Sequence, residues 1–180
     1  VLFRSGANGI APVHGVEQIA HLGVFPNKRT LDFWQSQNAR INIGYERLQR
    51  VVKRAIQLSK QDFMVLEGVR SKEQCMINYG KGRTAAQVQA KGIPARYAKP
   101  SAAKVTWLNN PFASKHVTGK AVDLVPYPVD WNDLSKFDKI AKAMLQAAKE
   151  LKVNIRWGAD WDNDGKPRER GESDSPHFEI

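Results

Sequence analysis

Between Trp131 and Leu151 the apolar residues Leu134, Phe137, Ile140, Ala141, Met144, Leu145, Ala148 and Leu151 recur at intervals of three and four. Only an α-helix gathers such a series on one side, and a helix striped in this way has to bury that side against another layer. A second stripe, Ile41, Tyr45, Leu48, Val51, Val52, Ala55 and Ile56, predicts a helix over Asn38–Ser59, with Arg47, Arg50, Lys53 and Arg54 mostly off the apolar side. The layer they cover is read from short apolar runs. Asp62–Leu66 ends at Gly68; Ala121–Val125 is interrupted by Asp123 and closed by Pro126 and Pro128; Val153–Trp157 and His177–Ile180 flank a polar, acidic segment from Asp160 to Ser175. Ser71 followed by Gln74 has the capping-box spacing, so a further helix is predicted from there to Gly80. The stretch Lys81–Pro111 has no sustained period and reads as a surface loop or lid. Together these elements predict an α+β fold, a small antiparallel sheet flanked by helices. No linker or repeat divides it, so residues 1–180 form one domain, with 1–14 as an N-terminal extension.

Composition narrows the function classes. A chain of 180 residues with 42% hydrophobic and 26% charged residues can build a core without staples. Cys75 is the only cysteine, which excludes an intrachain disulfide and every multi-cysteine metal motif, so a metal here would need histidine and carboxylate ligands. No apolar run approaches the roughly 20 residues that cross a bilayer, and the N-terminus lacks a signal-peptide layout. The formal charge of +10 predicts attraction to a polyanion, such as an anionic cell envelope. No nucleic-acid-binding motif accompanies that charge, so no specific nucleic-acid partner is expected. The protein is read as a monomer.

The chemistry concentrates in two segments. Ser114-Lys-His116-Val-Thr-Gly119-Lys-Ala-Val-Asp123 combines an imidazole, a glycine and a carboxylate on a strand, and can present two ligands to one metal. Catalytic zinc takes three nitrogen or oxygen ligands and keeps one position open. His177 offers the third: in an extended His177-Phe178-Glu179-Ile180 the side chains alternate, so Phe178 and Ile180 enter the core while His177 faces a cleft. Asp174, three residues earlier, can approach the same metal as a proton shuttle.

These segments resemble the Ser-x-His-x-x-Gly-x-Ala-x-Asp signature and the acidic-x-x-His motif of the zinc D-alanyl-D-alanine peptidase group. Glu67-Gly68-Val69-Arg70-Ser71 and Trp157-Gly158-Ala159-Asp160-Trp161 bring the chain nearest to phage endolysins of the L-alanyl-D-glutamate peptidase type, over roughly Gly15 to Ile180. The resemblance implies a hedgehog/D-Ala-D-Ala peptidase-like fold with one catalytic zinc in a cleft on the sheet. It implies His116, Asp123 and His177 as zinc ligands, Asp174 as catalytic acid/base, and Arg70 as a catalytic, substrate-binding cation. Gln74 and Ser114 are the further substrate-binding candidates, with a turn-capping role as the alternative for Ser114. The function implied is hydrolysis of peptidoglycan stem peptides, made in the host cytoplasm and acting on the wall after release. Alternatives are a D,D- or L,D-carboxypeptidase on the same scaffold and a non-catalytic zinc-binding recognition domain; a proton shuttle at Asp174 is superfluous in the latter. His14 and His21 carry no motif and read as structural or exposed.

One motif stands apart. Asp160-Trp-Asp162-Asn-Asp164-Gly165 has the opening of a calcium loop, in which alternate carboxylates face one cation. The twelfth position is Gly171, where such a loop carries Glu; Glu169 and Glu172 are the nearest acids. Calcium at Asp160, Asp162 and Asp164 is thus a candidate second cofactor, against an acidic solvated turn.

Overall fold

The computed structural model describes residues 46–180; the predicted helix start at Asn38, the extension 1–14, His14 and His21 lie outside them. The elements are α1 (Glu46–Leu58), β1 (Phe63–Glu67), α2 (Lys72–Gly80), α3 (Ala85–Gln89), a 3-10 turn at Ala95–Tyr97, β2 (Ala121–Pro126), α4 (Leu134–Leu151), β3 (Arg156–Trp157) and β4 (His177–Glu179). The strands form one sheet in the order β1-β2-β4-β3, antiparallel at every step.

Register decides what each face of this sheet does. Residues opposed across an antiparallel pair share a face, and neighbours along a strand alternate. Val122, Phe178 and Trp157 stand in one row, the last two with rings stacked 6.3 Å apart. With Phe63, Val65 and Leu124 they form the buried face, which α1 covers through Leu48, Val51, Val52 and Ala55 and α4 through Ile140, Met144 and Ala147. Each fully buried side chain of this size contributes roughly 1.5–3 kcal/mol. An exposed ion pair between the two helices, Arg54 with Glu150, is screened by solvent and adds little, so the apolar stripes hold the helices in place. The opposite face carries Asp123, His177, Glu179 and Arg156.

Three local expectations are corrected. The segment Lys81–Pro111 is not an unstructured loop: Val88 and Ile93 are buried against Tyr79 in a second small core, with Met76, Tyr97 and Ala98 packed on it. Two apolar residues are too few to show a period, which is why pattern reading missed α3. The reciprocal capping box lies there too, between Thr84 and Gln87. At α2 only half of one forms: Ser71 Oγ accepts from the Gln74 N–H, while the Gln74 side chain donates to Asn78. β3 is shorter than expected because Lys152, in the left-handed region at φ 54°, ends α4 and Val153 N–H returns to the Ala148 carbonyl in a Schellman-type closure. No described helix is long and apolar enough to cross a membrane.

Candidate metal centre and active site

Asp123 and His177 are directly opposed on the two central strands, on the face away from the core. His116 arrives from the turn before β2. Its carbonyl accepts the N–H of Gly119, whose φ of 69° suits glycine and turns the chain into the strand. The result is a cluster of three donor atoms: His177 Nδ1 lies 3.0 Å from Asp123 Oδ1 and 3.2 Å from His116 Nε2, and the latter lies 3.2 Å from Asp123 Oδ1. Tetrahedral zinc with bonds of about 2.0–2.1 Å separates its ligand atoms by roughly 3.4 Å, close to this spacing. The donor set of two imidazole nitrogens and one carboxylate oxygen fits such an ion.

The outward nitrogens are also placed for that role. His116 Nδ1 is 2.8 Å from the Gly68 carbonyl, which can only accept, so the proton sits on Nδ1 and the Nε2 lone pair faces the cluster. Burial alone would raise the Asp123 carboxyl, but the imidazoles of His116 and His177 beside it outweigh that and hold the group well below its ordinary range. Burial alone would lower His177, yet Asp123 raises it above free imidazole.

The cluster opens into a cleft of about 670 Å³ lined by, among others, Arg70, Ser114, Trp107, Trp161 and Asp174. Asp174 is open to solvent on its cleft side, while the protein crowding its other side raises its carboxyl above the ordinary range. It is not one of the three converging donors. Gly158 makes room for it: a Cβ there would fall 2.4 Å from the Asp174 carbonyl oxygen. Arg70 Nε and Nη2 grip the Glu67 carboxylate at 2.7 and 2.5 Å, and Nη1 lies 3.4 Å from Ser114 Oγ. Its fork is therefore largely engaged within the protein. Burial would lower this guanidinium, but Glu67 more than compensates and raises it. Ser114 also accepts the His116 N–H. Gln74 does not line the cleft; Asn78, to which it donates, does.

Sequence reading missed Glu67, Gly158 and Glu179. The last was legible in principle, since position i+2 from His177 on a strand shares its face. Of the tryptophans, Trp157 is buried and donates to the Ser175 carbonyl, Trp161 packs 5.5 Å from the His177 ring, and Trp107 stands 76% exposed at the rim. That rim is anchored by Arg83, which lies over the Tyr79 ring and donates to the Tyr79 and Thr106 carbonyls.

The three aspartates of the acidic turn do not converge on one point. Asp160 and Asp162 gather with Glu172, and Asp162 and Asp164 with Glu169. Asp160 accepts the N–H groups of Asp164 and Gly165, Asp162 pairs with Arg170, and Asp164 with Lys166. Glu172 Oε1 accepts from Trp161 and Asp162, while its Oε2 is buried without a partner among the described residues.

A profile of the family described as phage L-alanyl-D-glutamate peptidase matches residues 30–100 and 96–180. The L-alanyl-D-glutamate peptidase of Escherichia phage T5 is 35% identical over 139 residues, 74% of this chain and 85% of that protein. The crystal structure of the Serratia marcescens L-Ala D-Glu endopeptidase ChiX is 27% identical, with a TM-score of 0.49, over 76% of this chain and 79% of that one. The chain belongs to the phage L-alanyl-D-glutamate peptidase family.

Proposed function

We propose that the protein is a zinc-dependent endopeptidase that hydrolyses the L-alanyl-D-glutamate bond of peptidoglycan stem peptides, acting as a phage-type endolysin. The observation that carries this is the convergence of His116 Nε2, Asp123 Oδ1 and His177 Nδ1 within 3.2 Å of one another, in a cleft that also holds a raised carboxyl, in a chain of this family. His116, Asp123 and His177 would hold the zinc, which would supply Lewis acidity and lower the pKa of a water toward about 7. The chain's own residues do the rest. Asp174 takes the proton of the attacking water and returns it to the leaving amine, and its raised pKa suits the second transfer. Arg70, held in place by Glu67, presents Nη1 to a substrate carboxylate or to the developing oxyanion. The charge of +10 draws the protein to the anionic envelope.

The test is mass spectrometry of fragments released from purified peptidoglycan. New D-Glu amino termini carry the proposal. Release of D-Ala alone would replace it with the carboxypeptidase reading, and wall binding without hydrolysis with the recognition domain.

Calcium enters as a second cofactor of the acidic turn, because the unpartnered Glu172 Oε2 joins Asp160 and Asp162 in one donor group. Calorimetric titration of the zinc-loaded protein should register a calcium site. Silence at millimolar calcium leaves Asp160 as the anchor of a turn.

A further inference from the structure

His177 has two ring nitrogens, and the proposed chemistry uses one. Nδ1 faces Asp123 and His116, while Nε2 points along β4 to Glu179, whose Oε2 is 3.3 Å away. His177 and Glu179 are two residues apart on one strand, so both stand on the functional face. Glu179 is 6% exposed, and its other oxygen is gripped by Arg156, its register partner on β3.

An ionised carboxylate only accepts hydrogen bonds. Facing one, Nε2 has to carry the imidazole proton, which leaves Nδ1 with its lone pair free. The other tautomer would put a lone pair against the carboxylate and an N–H against the other two donors, and a half-turn of the ring would put carbon atoms where both nitrogens now stand. We infer that Glu179 is a positioning residue, which accepts the Nε2–H of His177 and so fixes both tautomer and ring orientation for metal binding through Nδ1. Arg156 in turn holds the carboxylate, and Trp161, between the Arg156 guanidinium at 5.3 Å and the His177 ring at 5.5 Å, closes the side of the row. His116 meets the same requirement with the Gly68 carbonyl, so each imidazole has its own acceptor.

The inference rests on the zinc reading, and zinc affinity, measured by competition with a chromophoric chelator, tests both. Outer hydrogen bonds of this kind are worth roughly 10–100-fold in metal affinity. Glu179→Ala should therefore bind zinc about 10–100-fold more weakly than wild type. Glu179→Asp keeps the charge but withdraws the oxygens by one carbon–carbon bond, about 1.5 Å, and should lose as much. Glu179→Gln loses the charge but keeps an oxygen at full reach. Arg156 is 55% exposed and can swing into solvent, so that oxygen is free to face His177, and affinity should stay near wild type. A merely structural or electrostatic role would not produce this order. Tight zinc binding by wild type and Glu179→Ala alike overturns the inference alone, as does equal loss in Glu179→Gln and Glu179→Ala. A wild-type protein that takes up no zinc overturns the zinc reading and this inference with it. Thermal melts of the metal-free proteins identify any variant that fails to fold, and the Asp and Gln substitutions then carry the comparison.

Discussion

Gly158→Ala adds one methyl group and should disable the enzyme. That methyl would lie 2.4 Å from the Asp174 carbonyl oxygen, 2.9 Å from the Asp174 Cβ and 3.0 Å from the His177 Cβ. Ordinary contact begins at 3.4 Å, so the Asp174 backbone has to retreat by about 1 Å. It cannot do so freely. Gly158 N–H donates to the His177 carbonyl and Asp174 N–H donates to the Gly158 carbonyl, so relief moves Asp174, the acid/base proposed above, relative to the three converging donors. A misplacement of about 1 Å costs on the order of 100-fold in rate, and overpacking of this kind about 1–3 kcal/mol in stability. The assay is kcat/KM on a soluble stem-peptide fragment, with a thermal melt alongside. Gly68→Ala is the control: no atom of the described residues lies within 4 Å of its added methyl, although the Gly68 carbonyl holds His116, and it should stay within about twofold of wild type. Gly158→Ala with near-normal kcat/KM, or an equal fall in Gly68→Ala, would refute the steric argument.

Other substitutions separate the roles. His116→Ala should lose both zinc and activity, whereas Asp174→Asn should keep zinc, by metal analysis, and lose roughly 100- to 10,000-fold in kcat. Arg70→Lys should lower kcat/KM about tenfold or more, since a single ammonium cannot grip Glu67 with two nitrogens and also present a third to the substrate. Unchanged kinetics would make Arg70 a structural cation. Zinc has to displace the proton that His177 holds more firmly than free imidazole does, so apparent affinity should climb as pH rises beyond 6.5, where an unperturbed histidine would have levelled off. In the metal-free protein the same raised pKa adds stability below the unfolded value, lost as pH rises through the folded one. Wall binding, driven by a charge of +10, should weaken as salt rises, while turnover of a short soluble peptide changes far less; parallel curves would count against charge-driven targeting.

The stripe from Leu134 to Leu151 and the four short strands were legible because burial on one side leaves a period in the sequence. That His116, Asp123 and His177 come together was legible because the motif that carries them has the residue types a metal would demand, and few residue types supply such atoms. What escaped reading is held by contacts without a period. Val88 and Ile93 reach their small core through two isolated apolar residues, and Arg83 closes it by stacking on Tyr79 and bonding two carbonyls. Glu67 went unassigned because its meaning depends on Arg70, three residues on, turning back to meet it. Gly158 shows nothing in sequence of the backbone pressed against it from sixteen residues away.

The opposed pair Asp123 and His177 also bears on how the sheet finds its alignment. Moving β4 by one residue against β2 would turn His177 and Glu179 into the core and bring Phe178 out to the cleft. The misaligned sheet would bury two ionisable groups, lose its stacked partner for Trp157, and offer the metal only His116 and Asp123. A ligand that binds one arrangement and not the other pulls the population toward the one it binds. Zinc bound as proposed would thus act during folding as a gauge of alignment, rewarding the single pairing of the two central strands in which the row of donor residues and the hydrophobic row are both complete.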